Sequence, residues 1–218
     1  MNIFLEMYTK VQSDLSVTSS STFYTLARIK STINDAYLWA GGLFLWPATR
    51  KAKTTSTVAS QYYYDYPSSF RPDSIWRVEI DGEKFDPKSY EDYLDYKIEN
   101  PSDDTPIFAS FGKQFFVFPT PTASGTNNLD IWGQENVTLL SSDDDKTIFS
   151  DSFPEGNEAV CKQALAVLQA KGKDKKTGQV EDAEAKGILA TIYGQILKQQ
   201  QKYQRLDHAF LDVPDFFD

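Results

Sequence analysis

The sequence predicts an α+β fold. The N- and C-terminal segments form a small helical bundle, an antiparallel β-sandwich or barrel-like unit is inserted between them, and an extended C-terminal tail follows. Three observations predict it. Apolar residues recur at i, i+3 and i+4 in the first forty residues and again after Pro154, the period of amphipathic helices. Between about 54 and 140 the period shortens to that of strands, with turn residues between runs. The aromatic share of 14%, with 12 Tyr and 15 Phe, suits a pleated surface. The expected divisions are 1–53 helical, 54–140 β with one short helical insertion, 141–206 helical, and 207–218 tail.

Each element has its own reason. Asn2–Asp14 spaces Phe4, Leu5, Tyr8 and Val11 helically, and SVTSSST (16–22) breaks it with residues that favour caps. A second helix is expected from about Phe23 to Ala40, on Leu26, Ile29, Ile33, Ala36, Tyr37 and Ala40, ended by Gly41-Gly42. LFLWPATRK is an apolar step that stops at Pro47. Strands begin at about Thr54. IWRVEI alternates, which predicts Trp76, Val78 and Ile80 on the inward face. Asp81-Gly82 and Gly112-Lys113 are hairpin turns. DPKSYEDYLDYK (86–97) reads as a short helix with Asp86 as N-cap and Pro87 in first position. LDIWGQENVTLL is a last strand with an irregularity at Gly133. Pro154-Glu155 opens a helix, KGKDKKTG (171–178) breaks it, and Gln179–Arg205 forms a long second one.

Bulk composition excludes several functions. A net charge of −9 lacks the basic patch that gripping nucleic acid through its phosphates requires. The single cysteine, Cys161, precludes an internal disulfide framework. MNIFLEMYTK has no basic n-region or long apolar core, so secretion is not expected. The longest apolar stretch, around LWAGGLFLWPA, falls short of the roughly 20 residues that span a bilayer, so a soluble chain without membrane contact is expected.

The chemistry-bearing motifs are weak. There is no phosphate-binding glycine loop, no Gly-x-Ser-x-Gly and no His-Glu-x-x-His. The one histidine, His208, lies near the end of the chain and cannot build a triad or a multi-histidine metal site alone. Asp65, Asp73 and Glu79 sit near aromatics and could in principle form a glycosidase pair, but nothing fixes their separation. Asp143–Asp145 lacks the ligand alternation of a calcium loop and reads as solvated. Asn136-Val137-Thr138 is a glycosylation triplet with no secretory context. KGKDKKTG, the one basic run, is either a polar inter-helix turn or an edge that meets an acidic partner. No catalytic residue, metal ligand or cofactor is expected.

Two features ask for a partner. In the tail, Phe210, Leu211, Val213, Phe216 and Phe217 alternate with aspartates. Large apolar side chains gain nothing in water, and Pro214 prevents a regular helix, so an extended segment docking into a groove fits better than packing on its own bundle. In QYYYDYP, strand alternation places Tyr62, Tyr64 and Tyr66 on one face and Tyr63 on the other. One set can fill the core while the other lines an interface.

The order of these elements resembles a known family. The helix with Asn-Asp-Ala near its middle (Ile33–Tyr37), the segment ending WPATR, the phrase YPSSFRPDSIWRVEIDG, the phrase FGKQFFVFPTP and the paired C-terminal helices together resemble the head-to-tail adaptor, or connector, proteins of tailed bacteriophages, over about residues 22–205. The resemblance implies a structural virion protein at the neck, between capsid and tail, assembled in host cytoplasm. It implies a homo-oligomeric ring, generally twelve-fold, docked under the portal protein and offering its other side to tail or neck proteins. DNA would pass through the channel without specific binding, and the tail at Phe210–Phe217 would clasp the portal. The alternative is an aromatic-rich β module that binds carbohydrate or a receptor as part of a tail-associated protein.

Overall fold

A computed structural model describes residues 3–16, 22–172 and 175–211, with the backbone alone over 200–211. The fold is α+β and divides into two compact units, one of residues 1–46 and 137–218 and the other of 47–136.

The first unit is helical: α1 (Phe4–Asp14), α2 (Leu26–Leu43), α4 (Glu155–Lys171) and α5 (Lys175–Leu211). The apolar stripes read from the sequence meet in one core. Phe4, Met7 and Val11 of α1, Ile29, Ile33, Tyr37 and Ala40 of α2, Val160, Ala164 and Leu168 of α4, and Ala185, Leu189, Ile192 and Ile196 of α5 are all buried there. Thr25 caps α2 by accepting from the Arg28 amide. The helix does not stop at the paired glycines. It runs through both to Leu43, and only the first serves packing: a Cβ on Gly41 would lie 2.6 Å from Val137 Cγ1, whereas one on Gly42 would meet nothing within 4 Å. Gly41→Ala should therefore cost about 1–3 kcal/mol through overpacking. Gly42→Ala should be neutral or stabilise by about 0.5 kcal/mol through helix propensity. Urea unfolding of the two variants measures the difference.

The segment 137–154 closes this unit, and Asn34 holds it. The Asn34 side chain donates to the Leu140 carbonyl at 2.9 Å and accepts from the Leu140 amide at 2.8 Å. The Tyr37 hydroxyl accepts from the Ile148 amide at 2.9 Å. The Asn-Asp-Ala of the sequence is thus a backbone clamp: Asn34 grips, Ala36 packs and Asp35 faces water. Asn34→Ala should cost about 2–3 kcal/mol, since both Leu140 backbone groups lose their partner, and chemical denaturation checks it. The expectation that Asp143–Asp145 is merely solvated needs correction. At the open N-terminus of α1 the Phe4 amide donates to the Asp145 carbonyl and the Leu5 amide to the Asp143 carbonyl, the Asp143 carboxylate pairs with Lys30 at 2.7 Å, and the Asp145 carboxylate accepts from the Ser141 and Ser142 amides.

The second unit opens with a turn of 3-10 helix at Pro47–Thr49 and holds one seven-stranded sheet. Its strands are β1 (Arg50–Thr55), β2 (Tyr63–Asp65), β3 (Arg77–Ile80), β4 (Glu83–Lys88), β5 (Ile107–Phe111), β6 (Gln114–Phe118) and β7 (Leu129–Gln134), in the order β1-β7-β3-β4-β5-β6-β2. The expected hairpins form: Asp81 and Gly82 turn β3 into β4 with positive φ, and Gly112 turns β5 into β6. The sheet is not wholly antiparallel. β4 and β5 run parallel, because helix α3 (Tyr90–Glu99) lies between them as a crossover.

That crossover corrects the expected start of α3. Asp86 and Pro87 belong to β4, paired with Ile107 and Phe108, and Ser89 is the cap, accepting from the Asp92 amide. β1 begins at Arg50, ahead of the expected Thr54, since an edge strand exposed at all six residues has no apolar alternation to announce it. Trp76 also departs from expectation: it is 40% exposed while Ile75 is buried, because the ladder starts at Arg77 and the alternation does not reach back to it.

One face of the sheet gathers Val78, Ile80, Phe85, Phe108, Phe115, Val117, Leu129 and Ile131 into a core. The opposite face of β5 and β6 is buried too, under Tyr93 of α3, with Ile107, Ala109 and Phe118.

Candidate docking surfaces

The tyrosine run resolves into two roles. β2 is only three residues long, so alternation holds for Tyr63–Asp65 and not beyond. Tyr64 is a core residue: it is 6% exposed, lies over Phe115 at 5.5 Å, and its hydroxyl donates to the Gln61 carbonyl. Tyr66 is half-buried against the same core, edge-on to Phe115. Tyr62 and Tyr63 remain exposed, and Lys97 Nζ sits 4.3 Å from the Tyr62 ring. The three alternate tyrosines therefore share no single surface, and of them Tyr62 alone offers area to a partner.

The α3 side of the β unit carries the clearest exposed apolar ridge. Tyr90, Leu94 and Ile98 stand at i, i+4 and i+8, with Ile98 77% exposed. Phe111, 59% exposed, stacks on Tyr90 at 4.6 Å and extends the ridge. Glu91, Asp95 and Glu99 run beside it, and among the described residues none of these carboxylates forms an ion pair. Inward, burial pushes the Tyr93 hydroxyl up to about 12, and it donates to the Val117 carbonyl. The Tyr90–Leu94–Ile98 spacing was the signal in the sequence that could have found this ridge.

At the other end of the sheet the outer face carries indoles and guanidinium groups beside the polar row Thr54, Asp130 and Glu79. Register places Ala52, Trp132 and Arg77 in one row across β1, β7 and β3. Arg77 lies 5.1 Å from the centre of the Trp132 ring and pairs with Glu79, while Arg50 lies 5.5 Å from that of Trp76. Lys53 pairs with Glu135 at 3.0 Å and holds its carboxyl below the usual carboxylate range.

The helical unit has a groove of about 540 Å³ between α4 and α5, floored by Ile188 and Ile192 and rimmed by Glu155, Glu158 and Glu184. Glu158 lies 3.6 Å from Lys10 and Glu184 2.6 Å from Lys162, so two of its three carboxylates are already paired.

Helix α5 runs to Leu211 and not to Arg205, since nothing in LDHAFL breaks a helix before Pro214. It is 37 residues long, roughly 55 Å, and outlasts α4, its 17-residue hairpin partner. Phe210 and Leu211 lie in its last turn. Val213, Phe216 and Phe217 lie outside the described residues.

The residues considered for catalysis stand apart. Asp65 is on β2, accepting from Gln114, and Glu79 is on β3, paired with Arg77, with three strands between them in the sheet. Asp73 occupies a positive-φ turn position. Burial pushes the Cys161 thiol up to about 12, so it stays protonated at neutral pH. Among the described residues there is no group of acidic, histidine or cysteine side chains placed to hold a metal, and no helix is long and apolar enough to cross a membrane. What the molecule offers is surface: an apolar ridge, a tryptophan–arginine face, a groove and a long terminal helix.

No curated protein matches the chain. A family model described as SU10 adaptor protein matches residues 2–209, nearly all of it. The match spans both units, including the Asn34 clamp and the glycine contact at Gly41. The chain therefore belongs to the SU10 adaptor protein family, a family of phage adaptors with a structural role in the virion.

Proposed function

We propose that the chain forms a ring at the neck of the virion, docked under the portal protein on one side and presenting a tail-attachment surface on the other. The family match over residues 2–209 carries this reading. Physical features support it. A ring requires two different complementary faces on each subunit, because head-to-tail contacts are heterologous. The β unit has two unlike surfaces, the α3 ridge and the tryptophan–arginine face. The terminal residues Phe210, Leu211, Val213, Phe216 and Phe217, borne at the end of α5, supply the apolar anchors that clasp the portal. With a net charge of −9 the subunit lets DNA slide past without a grip.

Deleting Phe210–Asp218 tests it. The truncated protein should fold with unchanged circular dichroism and fail to copurify with its portal; retained copurification would contradict the clasp. The carbohydrate- or receptor-binding alternative would use Trp76 and Trp132 as stacking platforms, yet each indole already has a guanidinium over it. Sugar-induced quenching of their fluorescence would revive that alternative.

A further inference from the structure

Resting on that ring reading, we propose that the far end of α5 in one copy lies in the α4–α5 groove of the next. α5 runs as one helix from Lys175 to Leu211, whereas α4 has 17 residues and can accompany only its first half. The apolar stripe of that half is Ala185, Leu189, Ile192 and Ile196, all buried. Its alternating steps of four and three residues continue in the sequence through Gln199 to Tyr203, Leu206 and Phe210. Lys198, Lys202 and Arg205 recur at i, i+4 and i+7, which by helical register places them along one flank of the stripe. Apolar anchors beside cations thus continue beyond the reach of the hairpin partner.

The groove has the complementary chemistry. Its floor is Ile188 and Ile192, and its walls include Glu155, Gly187, Thr191 and Gln195, all four exposed. Its rim is more acidic than the subunit's own cations can neutralise. Lys162 is shared between Glu181 and Glu184, and Lys10 between Asp14 and Glu158. Glu155 forms no ion pair among the described residues. Gly187 lies inside α5, where glycine costs about 1 kcal/mol against alanine, yet a Cβ there would meet nothing within 4 Å. No contact among the described residues requires that missing side chain, whereas a helix laid in the groove could approach the backbone closely there. The match is that of an amphipathic helix in a groove, with anchors on the floor and opposite charges along the rim. The occupant is another copy, because residues 198–210 continue the axis of residues 184–195 and α5 cannot reach its own groove without breaking. Each copy gives one end and receives another, the head-to-tail contact that a ring needs. Tyr203 and Leu206 fill the seat, and the chain from Phe210 onward is left to reach the portal.

Charge changes on each side test this on the full chain. One variant carries K202E and R205E; the other carries E155K and T191K. Sedimentation velocity is measured with and without the portal protein, after circular dichroism has confirmed the fold. Wild type should form an assembly, and each variant alone should sediment as one copy. An equimolar mixture should regain the assembly, because every contact in an alternating ring then pairs opposite charges. A second measurement does not depend on those charges. The double variant T191C and A209C, treated with a bismaleimide, should give a ladder of covalent multimers that neither single variant gives; the native Cys161 is buried and stays out of the reaction. Variants that assemble like wild type, with no ladder, would overturn the proposed contact while leaving the ring intact. Loss of assembly in both variants, with no recovery on mixing and no ladder, would overturn it as well. A wild-type chain that stays single with and without portal would overturn the ring reading and the contact with it. Loss of portal binding in E155K/T191K at unchanged assembly would assign the groove to the portal and equally overturn the proposal.

Discussion

Trp46→Ala should be the most damaging single change in the helical unit, lowering its stability by about 3–5 kcal/mol. The side chain is 2% exposed and sits among three other rings: Phe149 at 5.0 Å, Phe44 at 5.4 Å and Tyr193 at 5.8 Å between centroids. Its Nε1–H donates to the Ala40 carbonyl at 2.9 Å, near the C-terminal end of α2 where carbonyls lack helical partners. Truncation leaves a cavity that rings cannot collapse into easily, and orphans that carbonyl. A domain has only about 5–15 kcal/mol in total, so the loss is a large share of it. The melting temperature should fall by about 10–20 °C. Trp46→Phe, which keeps most of the volume and loses the N–H donor, should cost less than half as much. A change below about 1 kcal/mol for the alanine variant would show that the aromatic cluster is not what holds α2, the 137–154 segment and α5 together.

The largest effect on binding should come from the end of the chain. Phe216 and Phe217 changed together to serine should weaken portal binding by about 100-fold or more, taking each buried ring as worth at least about 1.5–2 kcal/mol at an interface. Thermal stability should not move, because an anchor used only in the complex contributes nothing to the isolated fold. Phe210→Ser should behave similarly, with the added effect of loosening the last turn of α5. Titration against the purified portal, beside a melting curve of each variant, separates the possibilities. If the melting temperature fell in step with affinity, the phenylalanines would be packing on the bundle of their own subunit, and the clasp would be wrong.

Much of the architecture could be read from periodicity alone. The stripes of α1, α2, α4 and α5 point to one core because helical burial depends on spacing that the sequence displays directly. The hairpins at Asp81-Gly82 and Gly112 were legible for the same reason, positive φ being chemically marked. What escaped were features decided by distant neighbours. Gly41 and Gly42 look like a stop signal, and only the approach of Val137 shows why the first is a glycine inside a helix. Pro87 looks like a helix start, and only its pairing with Phe108 makes it part of a strand. Trp46 looks like one more apolar residue before a proline, and nothing local says that it centres an aromatic cluster. The docking surfaces were legible in part. Tyr62 stays exposed, but Tyr64 serves the core because β2 is too short to carry a two-sided pattern. The Leu94–Ile98 ridge escaped because the expected helix, 86–97, stops one residue short of Ile98, whereas α3 runs on to Glu99.

Electron microscopy of the full chain mixed with its portal protein tests the structural role most directly. A closed ring of copies seated against the portal, with the ends of the α5 helices reaching its surface, is the result the account predicts. Particles of bare portal beside single, unassembled chains would contradict it.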